Sequence, residues 1–262
     1  MNNHEVDYQI LGQEMQIAEI ELDPGESVVA EAGAMMYMDA NIEMETIFGD
    51  GSESSNMGGM MGKLMGAGRR IVTGESLFMT LFTNRGQGKQ KVSFAAPYPG
   101  KIIPMDLSAF GYKLICQKDS FLCSAKGVSI GIEFTKKIGA GLFGGEGFIL
   151  QKLEGDGMAF VHAGGMIVRH DLSPGEVLRI DTGCIVAFTQ TVSYDIQMVR
   201  GVKSALFGGE GFFYAVVTGP GTVWIQSIPF SRLASKIMQA SGGQKEEGSA
   251  LGGLGNFIQG NF

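Results

Sequence analysis

Short runs in which apolar and polar residues alternate recur along the chain. Glu43–Thr46, Val128–Glu133 and Val192–Gln197 follow a period of two or are β-branched, and none shows the 3.6-residue spacing of a helix. Three more runs, Leu77–Thr83, Phe148–Leu153 and Phe212–Val217, lead into Asn84–Gly88, Gly155-Asp156-Gly157 and Gly219-Pro220-Gly221. Asp-Gly and Pro-Gly suit tight turns because glycine reaches positive φ without Cβ strain, so these runs read as β-hairpins. One helix is predicted over Phe230–Gln239. There Leu233, Ile237 and Met238 fall near helical spacing after Pro229, with Ser231 as the N-cap and Gly242 as the stop.

The strand pattern is repeated. LFGGEGF stands at Leu142–Phe148 and again at Leu206–Phe212, 64 residues on, and Thr73-Gly74-Glu75-Ser76-Leu77-Phe78 is a degenerate third member. A second marker, Pro24-Gly25-Glu26, Pro99-Gly100-Lys101 and Pro174-Gly175-Glu176, recurs at intervals of 75. A shift of 150 places Gly33 on Gly183, Met35 on Ile185, Ile42 on Val192 and Met44 on Tyr194. These markers predict three β units of about six short strands each: residues 1–97, 98–172 and 173–240, the last carrying the helix, followed by a Gly-rich tail, 241–262. From Gly33 to Glu75 the first unit is 15 residues longer than the third is from Gly183 to Glu210, and the surplus lies in the Gly- and Met-rich stretch Phe48–Arg70. That stretch reads as an exposed loop.

Composition sharpens this all-β expectation. The 41 glycines have no collagen period, which fits many turns, and a 44% hydrophobic chain of 262 residues buries a sizeable core. A net charge of −7 disfavours phosphate backbones, so nucleic acid is not an expected partner. The opening MNNHEVDYQI lacks the order of a secretory signal or a transit peptide, and no apolar run reaches membrane-spanning length. Cys116, Cys123 and Cys184 are odd in number and lack CxxC spacing, so neither a disulfide framework nor a zinc site is expected and a cytoplasmic location fits.

Each trace of chemistry has a structural counterpart. Gly139–Gly144 satisfies GxGxxG, but a strand-like run follows it where a dinucleotide site needs a helix. Gly62-Lys63 lacks a P-loop's first glycine, replaced by Met57, and its Ser/Thr, replaced by Leu64. His162 and His170 do not have the paired spacing of a cupin metal site and read as surface or turn residues. Glu75, Glu146 and Glu210 occupy the same point of each repeat, after Arg69 and Arg70, Lys136 and Lys137, and Arg200 and Lys203. They read as structural turn carboxylates, or else as part of a charged collar on one end of an oligomer. The long loop is the candidate interaction element. Met57, Met60, Met61, Leu64 and Met65 supply adaptable apolar contacts, and Lys63, Arg69 and Arg70 supply charge, for oligomer, partner or peripheral membrane contact. No cofactor is expected.

The stretch EAGAMMYMDANIEME after LDPGE, the segment GRRIVTGESLF and the repeated LFGGEGF resemble the family named after altered inheritance of mitochondria, the mitochondrial biogenesis family. The resemblance spans nearly the whole chain. It implies a fold like that of the tryptophan RNA-binding attenuation protein: three small β-sandwich, short double-stranded β-helix units per chain, assembled as a homotrimer that mimics a nine-membered ring. It brings no agreed activity and no catalytic residues. The expectation is a non-enzymatic homotrimeric scaffold that binds a protein or membrane-associated partner. The alternatives are a ligand- or RNA-binding ring by analogy with the attenuation protein, and a cupin-like metalloenzyme.

Overall fold

The structure, a computed structural model, describes residues 3–48, 78–136, 148–198 and 213–241. Within them the chain is all-β with one short C-terminal helix. The first strands are β1 (Asp7–Leu11), β2 (Ile17–Leu22), β3 (Ser27–Glu31), β4 (Met35–Met38), β5 (Ile42–Phe48), β6 (Phe78–Asn84) and β7 (Gln90–Ala95). Then come β8 (Gly100–Asp106), β9 (Lys113–Gln117), β10 (Phe121–Ala125), β11 (Ser129–Lys136), β12 (Phe148–Glu154) and β13 (Met158–Gly164). The last set is β14 (Ile167–Leu172), β15 (Val177–Asp181), β16 (Ile185–Thr189), β17 (Ser193–Met198), β18 (Phe213–Thr218) and β19 (Gly221–Gln226), closed by α1 (Phe230–Ser241).

The strands form four antiparallel sheets: β1-β2-β7-β4, β5-β6-β3-β10-β13-β8, β11-β12-β9-β16-β19-β14, and β15-β18-β17. Three apolar cores lie between successive sheets. Ile20, Leu22, Val92 and Phe94 of the first sheet meet Val28, Phe82, Leu122 and Phe160 of the second. The opposite face of the second sheet, with Val29, Met105 and Val161, meets Leu114, Cys116 and Trp224 of the third. The third sheet turns Ile115, Leu150 and Phe188 to Ile180, Ala215 and Val217 of the fourth. A strand covered on both faces has no polar side to show, which is why β3 reads SVVAE and β16 reads IVAFT, while β2 in the outer first sheet alternates as IAEIEL.

The two glycine-turn markers separate on inspection. Pro24-Gly25-Glu26 joins β2 to β3 and Pro174-Gly175-Glu176 joins β14 to β15, with Gly25 and Gly175 at φ of 87° and 79°. In each turn the glutamate carboxylate accepts a backbone N–H three residues back, from Asp23 at 2.8 Å and from Ser173 at 2.9 Å. Pro99-Gly100-Lys101 is not a third copy of that turn. Gly100 opens β8 in extended backbone, and glycine is needed there because a Cβ would sit 1.9 Å from the Ala163 carbonyl oxygen.

The predicted hairpins are also corrected. The turns at 84–88, 155–157 and 219–221 do not join paired strands: β6 pairs with β3 and β5, whereas β7 pairs with β2 and β4. The chain crosses there from one sheet to the next, and the same holds from β12 to β13 and from β18 to β19. The turn chemistry is as read, but burial of both strand faces sets the pairing. The consecutive strands that do pair are β1–β2, β5–β6, β11–β12 and β17–β18. At the helix, the Pro229 carbonyl accepts from Arg232 and Leu233, so Ser231 lies inside the first turn and is not the cap. The helix runs to Ser241.

Candidate functional site

Strand direction brings particular segments to one end of the molecule. Antiparallel neighbours place the ends of β3, β5 and β13 beside the starts of β6, β8 and β10. In the third sheet the ends of β9, β11 and β19 lie beside the starts of β12, β14 and β16. A backbone ladder ties the sheets together at that end: Gly100 N–H donates to Glu14 O at 2.9 Å, Gly165 N–H to Pro99 O at 3.3 Å and Ile228 N–H to Gly164 O at 3.2 Å. The Gln226 side chain is buried there, accepting from Gly164 N–H and donating to Gly183 O.

Some of the exposed apolar side chains lie on the same end. Met15, Met166, Ile228 and Phe230 are exposed beside the ladder, and Ile237 and Met238 are exposed on α1. Arg232 holds the helix to Asp181, the last residue of β15, at 3.5 Å. The predicted loop residues Met57, Met60, Met61, Lys63, Leu64, Met65, Arg69 and Arg70, and the carboxylates Glu75, Glu146 and Glu210, lie outside the described residues. The strand ends that bracket them are described: Phe48 pairs with Phe78, Lys136 with Phe148 and Met198 with Phe213. The first two of these pairs sit at the ladder end of their sheets.

Beneath this end lie two buried polar rings, His162 and Tyr98, with the partly buried Glu31 near them. His162, expected at the surface, is in β13 and only 1% exposed, because its strand is flanked by β10 and β8 in a covered sheet. Tyr98 packs edge-on against it, and Phe230 lies against the other side of Tyr98 at 5.2 Å. Burial pushes the His162 pKa down to about 4, so the ring is neutral at physiological pH. Burial, then Asp119, pushes Glu31 up to about 7, with Lys118 opposing. Burial, then Asp119 and Glu31, pushes Tyr98 up to about 12. His170 is on β14 in a different sheet, so the two histidines share no site. Among the described residues no group of three His, Cys, Asp or Glu side chains is placed to hold a metal ion.

The sequence reading missed Tyr98 and the edge positions of β4 and β15. Tyr98 sits in a proline-flanked linker with no motif around it, and strand edges become visible only once pairing is known.

The fold and its ends can be set beside known proteins. A model of the family described as mitochondrial biogenesis AIM24 matches residues 8–228. The chain belongs to that family. An uncharacterised protein of Streptococcus pyogenes serotype M6 is 31% identical to this AIM24 chain over 223 residues, covering 84% of the chain and 85% of that protein. The crystal structure of another Streptococcus pyogenes protein superposes with a TM-score of 0.70 at 24% identity, over 90% of this chain and all of that one, a likeness of fold. No helix among the described residues is long and apolar enough to cross a membrane.

Proposed function

We propose that this AIM24 protein is a non-enzymatic homotrimeric β scaffold that binds a protein or membrane-associated partner through one end. In this reading the chain is three β units, residues 1–97, 98–172 and 173–240. The observation that carries the reading is the set of exposed side chains Met15, Met166, Ile228 and Phe230 beside a hydrogen-bonded backbone ladder. Exposed apolar surface gathered in one region marks an interaction site. Two supports are independent of it. The pairing of the first, third and sixth strands, and of the second, fourth and fifth, is common to the three sets β2–β7, β8–β13 and β14–β19. A homotrimer is what the family resemblance implies, and β15 and β4 each have one unpaired edge among the described strands. Buried free thiols at Cys116 and Cys123 favour a reducing cytoplasm.

Deleting Asn56–Gly66 tests the reading. The β fold, its melting temperature and a trimeric mass by light scattering should survive, while binding to the partner or to anionic vesicles is lost. A variant that unfolds or becomes monomeric makes the loop structural and removes its functional role, and a monomeric parent protein overturns the scaffold.

A further inference from the structure

β2, β8 and β14 open the three strand sets, and their outer edges are finished in three different ways. β2 and β14 lead into the matching Pro-Gly-Glu turns, 150 residues apart, so Ile17, Glu19 and Glu21 correspond to Ile167, Arg169 and Asp171. The ladder places β8 on the same scale. Gly165 N–H donates to Pro99 O as Gly100 N–H donates to Glu14 O, which makes Ile102, Pro104 and Asp106 the counterparts between them.

At β2 these positions are covered by β1, with Leu11 opposite Ile17, Gln9 opposite Glu19 and Asp7 opposite Glu21. At β8 they are closed without a strand: Gln16 Oε1 accepts from Ile102 N–H at 2.7 Å, and Pro104 has no N–H to offer. At β14 neither device is present. Lys101 stands where Gln16 does, and its ammonium, which can only donate, bonds to the Gln13 carbonyl. Arg169 stands where Pro104 does. Ser227 N–H donates to Met166 O at 3.0 Å and antiparallel bonding alternates, so the backbone polar groups of Ile167, Arg169 and Asp171 face away from β19. No described residue bonds to them there. Charge does not blunt this edge either, because the Arg169 guanidinium is bonded to Asp171 and lies 5.8 Å from the ring centre of Trp224 in β19, over the face of its own sheet.

We propose that the outer edge of β14 docks an extended segment of a partner protein, which adds antiparallel to Ile167–Asp171 as β1 adds to β2. The template fixes five positions of that segment. Those of Asp7, Gln9 and Leu11 fall opposite Asp171, Arg169 and Ile167. Opposed side chains on one face pair by charge and by apolar contact, so the segment carries a basic residue opposite Asp171, an acidic one opposite Arg169 and an apolar one opposite Ile167. At β2 the cation comes from the chain itself, since Lys89 binds both Asp7 and Glu21, at 3.0 and 2.7 Å. Leu22 pairs with Gln90 and Leu172 with Gly221, so the counterpart of Lys89 is Pro220, and the cation opposite Asp171 has to arrive with the incoming strand. The two intervening positions, those of Tyr8 and Ile10, flank His170 and the exposed Val168 and take apolar side chains. The inference rests on the scaffold reading only in taking the partner to be a protein; neither the trimer nor the Met-rich loop enters it.

The probe is the peptide Gly-Lys-Tyr-Glu-Ile-Leu-Gly with blocked ends, titrated against the full chain and read by amide hydrogen exchange. The Ile167, Arg169 and Asp171 amides should exchange rapidly in the free protein and slow saturably, by about ten-fold, with the peptide. The same peptide with Lys and Glu interchanged should bind more weakly. Arg169→Pro gives β14 the residue that β8 has and should cut the affinity about ten-fold, and Lys101→Gln, which supplies the cap that Gln16 provides, about three-fold, both with unchanged circular dichroism. If Arg169→Pro does not fold, Lys101→Gln and the interchanged peptide carry the comparison. No slowing at millimolar peptide, or equal binding by both peptides or by the variants, overturns the docking strand, while the trimeric mass and the loop deletion still test the scaffold separately. Protection without peptide that rises with protein concentration gives the edge to a second copy, and protection at every concentration gives it to this chain; either refutes a partner strand.

Discussion

The Tyr98 ring stands edge-on to the His162 imidazole, with centroids 4.4 Å apart and the planes at 76°. The contact joins a linker to β13, an inner strand of the second sheet, and Tyr98 in turn feels the half-buried acid Glu31 and Asp119. Two groups with oppositely directed shifts therefore act on stability over the same pH range.

For His162 the folded-state pKa of about 4 lies below the ordinary 6.5, so the unfolded chain binds more protons between these values and stability is lost as pH falls through them. The contribution is about 3 kcal/mol. Glu31, raised to about 7 from 4.5, has the opposite sign: the folded state holds the extra proton, and stability is gained on acidification from 7 to 4.5. Its partial exposure holds that gain to about 2 kcal/mol. The parent protein should show a shallow dependence between pH 4.5 and 6.5. His162→Phe should become more stable as pH falls, and Glu31→Gln should lose stability steeply. Urea denaturation at four pH values checks this, and equal slopes in the three proteins would refute the assignment.

Gly100 and Gly25 both follow proline, but for different reasons, and their alanine variants should separate. At Gly100 the added Cβ meets backbone 1.9 Å away, so Gly100→Ala forces β8 from β13 and should cost about 3 kcal/mol. At Gly25 the space is open and only the left-handed backbone at φ 87° is strained, so Gly25→Ala should cost about 1 kcal/mol. Chemical denaturation midpoints at constant m-value decide between them.

These glycines show how far the sequence could be read. Alternation, turn residues and the repeat marker Pro-Gly-Glu were enough for an all-β chain, because period two and positive-φ glycine are local properties. The turns at 155–157 and 219–221 are equally local, yet what they connect is not. Whether β12 pairs with β13 depends on which faces are covered by other sheets, and Phe148, Ile149 and Leu150, all buried, carry no sign of it. His162 was misread for the same reason: a polar residue in a run of small apolar ones gives no sign that its strand lies mid-sheet. The loop candidates, by contrast, were singled out by composition alone, and the structure describes only the strand ends on either side of them.

Thiol reactivity gives a direct view of the buried sheets. Burial pushes the Cys116 thiol up to about 12 and Cys123 well above its ordinary value, while Cys184 is half-buried before β16. At pH 8 a disulfide reagent should titrate one thiol per native chain within minutes and all three in denaturant, and Cys184→Ser should abolish the native reaction. Rapid reaction of either remaining thiol in that variant would show that its sheet opens, the third for Cys116 and the second for Cys123.

The last prediction sets Met36, inside the irregularity of β4, against Leu122 and Val186 at the matching irregularities of β10 and β16. Leu122 and Val186 sit inside bulges between two sheets, where a lysine ammonium would be stranded without water, so Leu122→Lys should cost more than about 4 kcal/mol and leave the chain unfolded or aggregated. In the isolated chain Met36 is open to solvent, and Met36→Lys should leave the strands and their circular dichroism unchanged, with monomer stability altered by about 0.5 kcal/mol at most. If the next copy covers β4 as β3 covers β10, the same substitution places a charge in a closing interface and should release monomers at micromolar concentration. Sedimentation and denaturation read the two effects separately. A Met36→Lys protein that remains a trimer would mean that the exposed bulge of β4 faces solvent in the assembly too, and that the copies meet elsewhere.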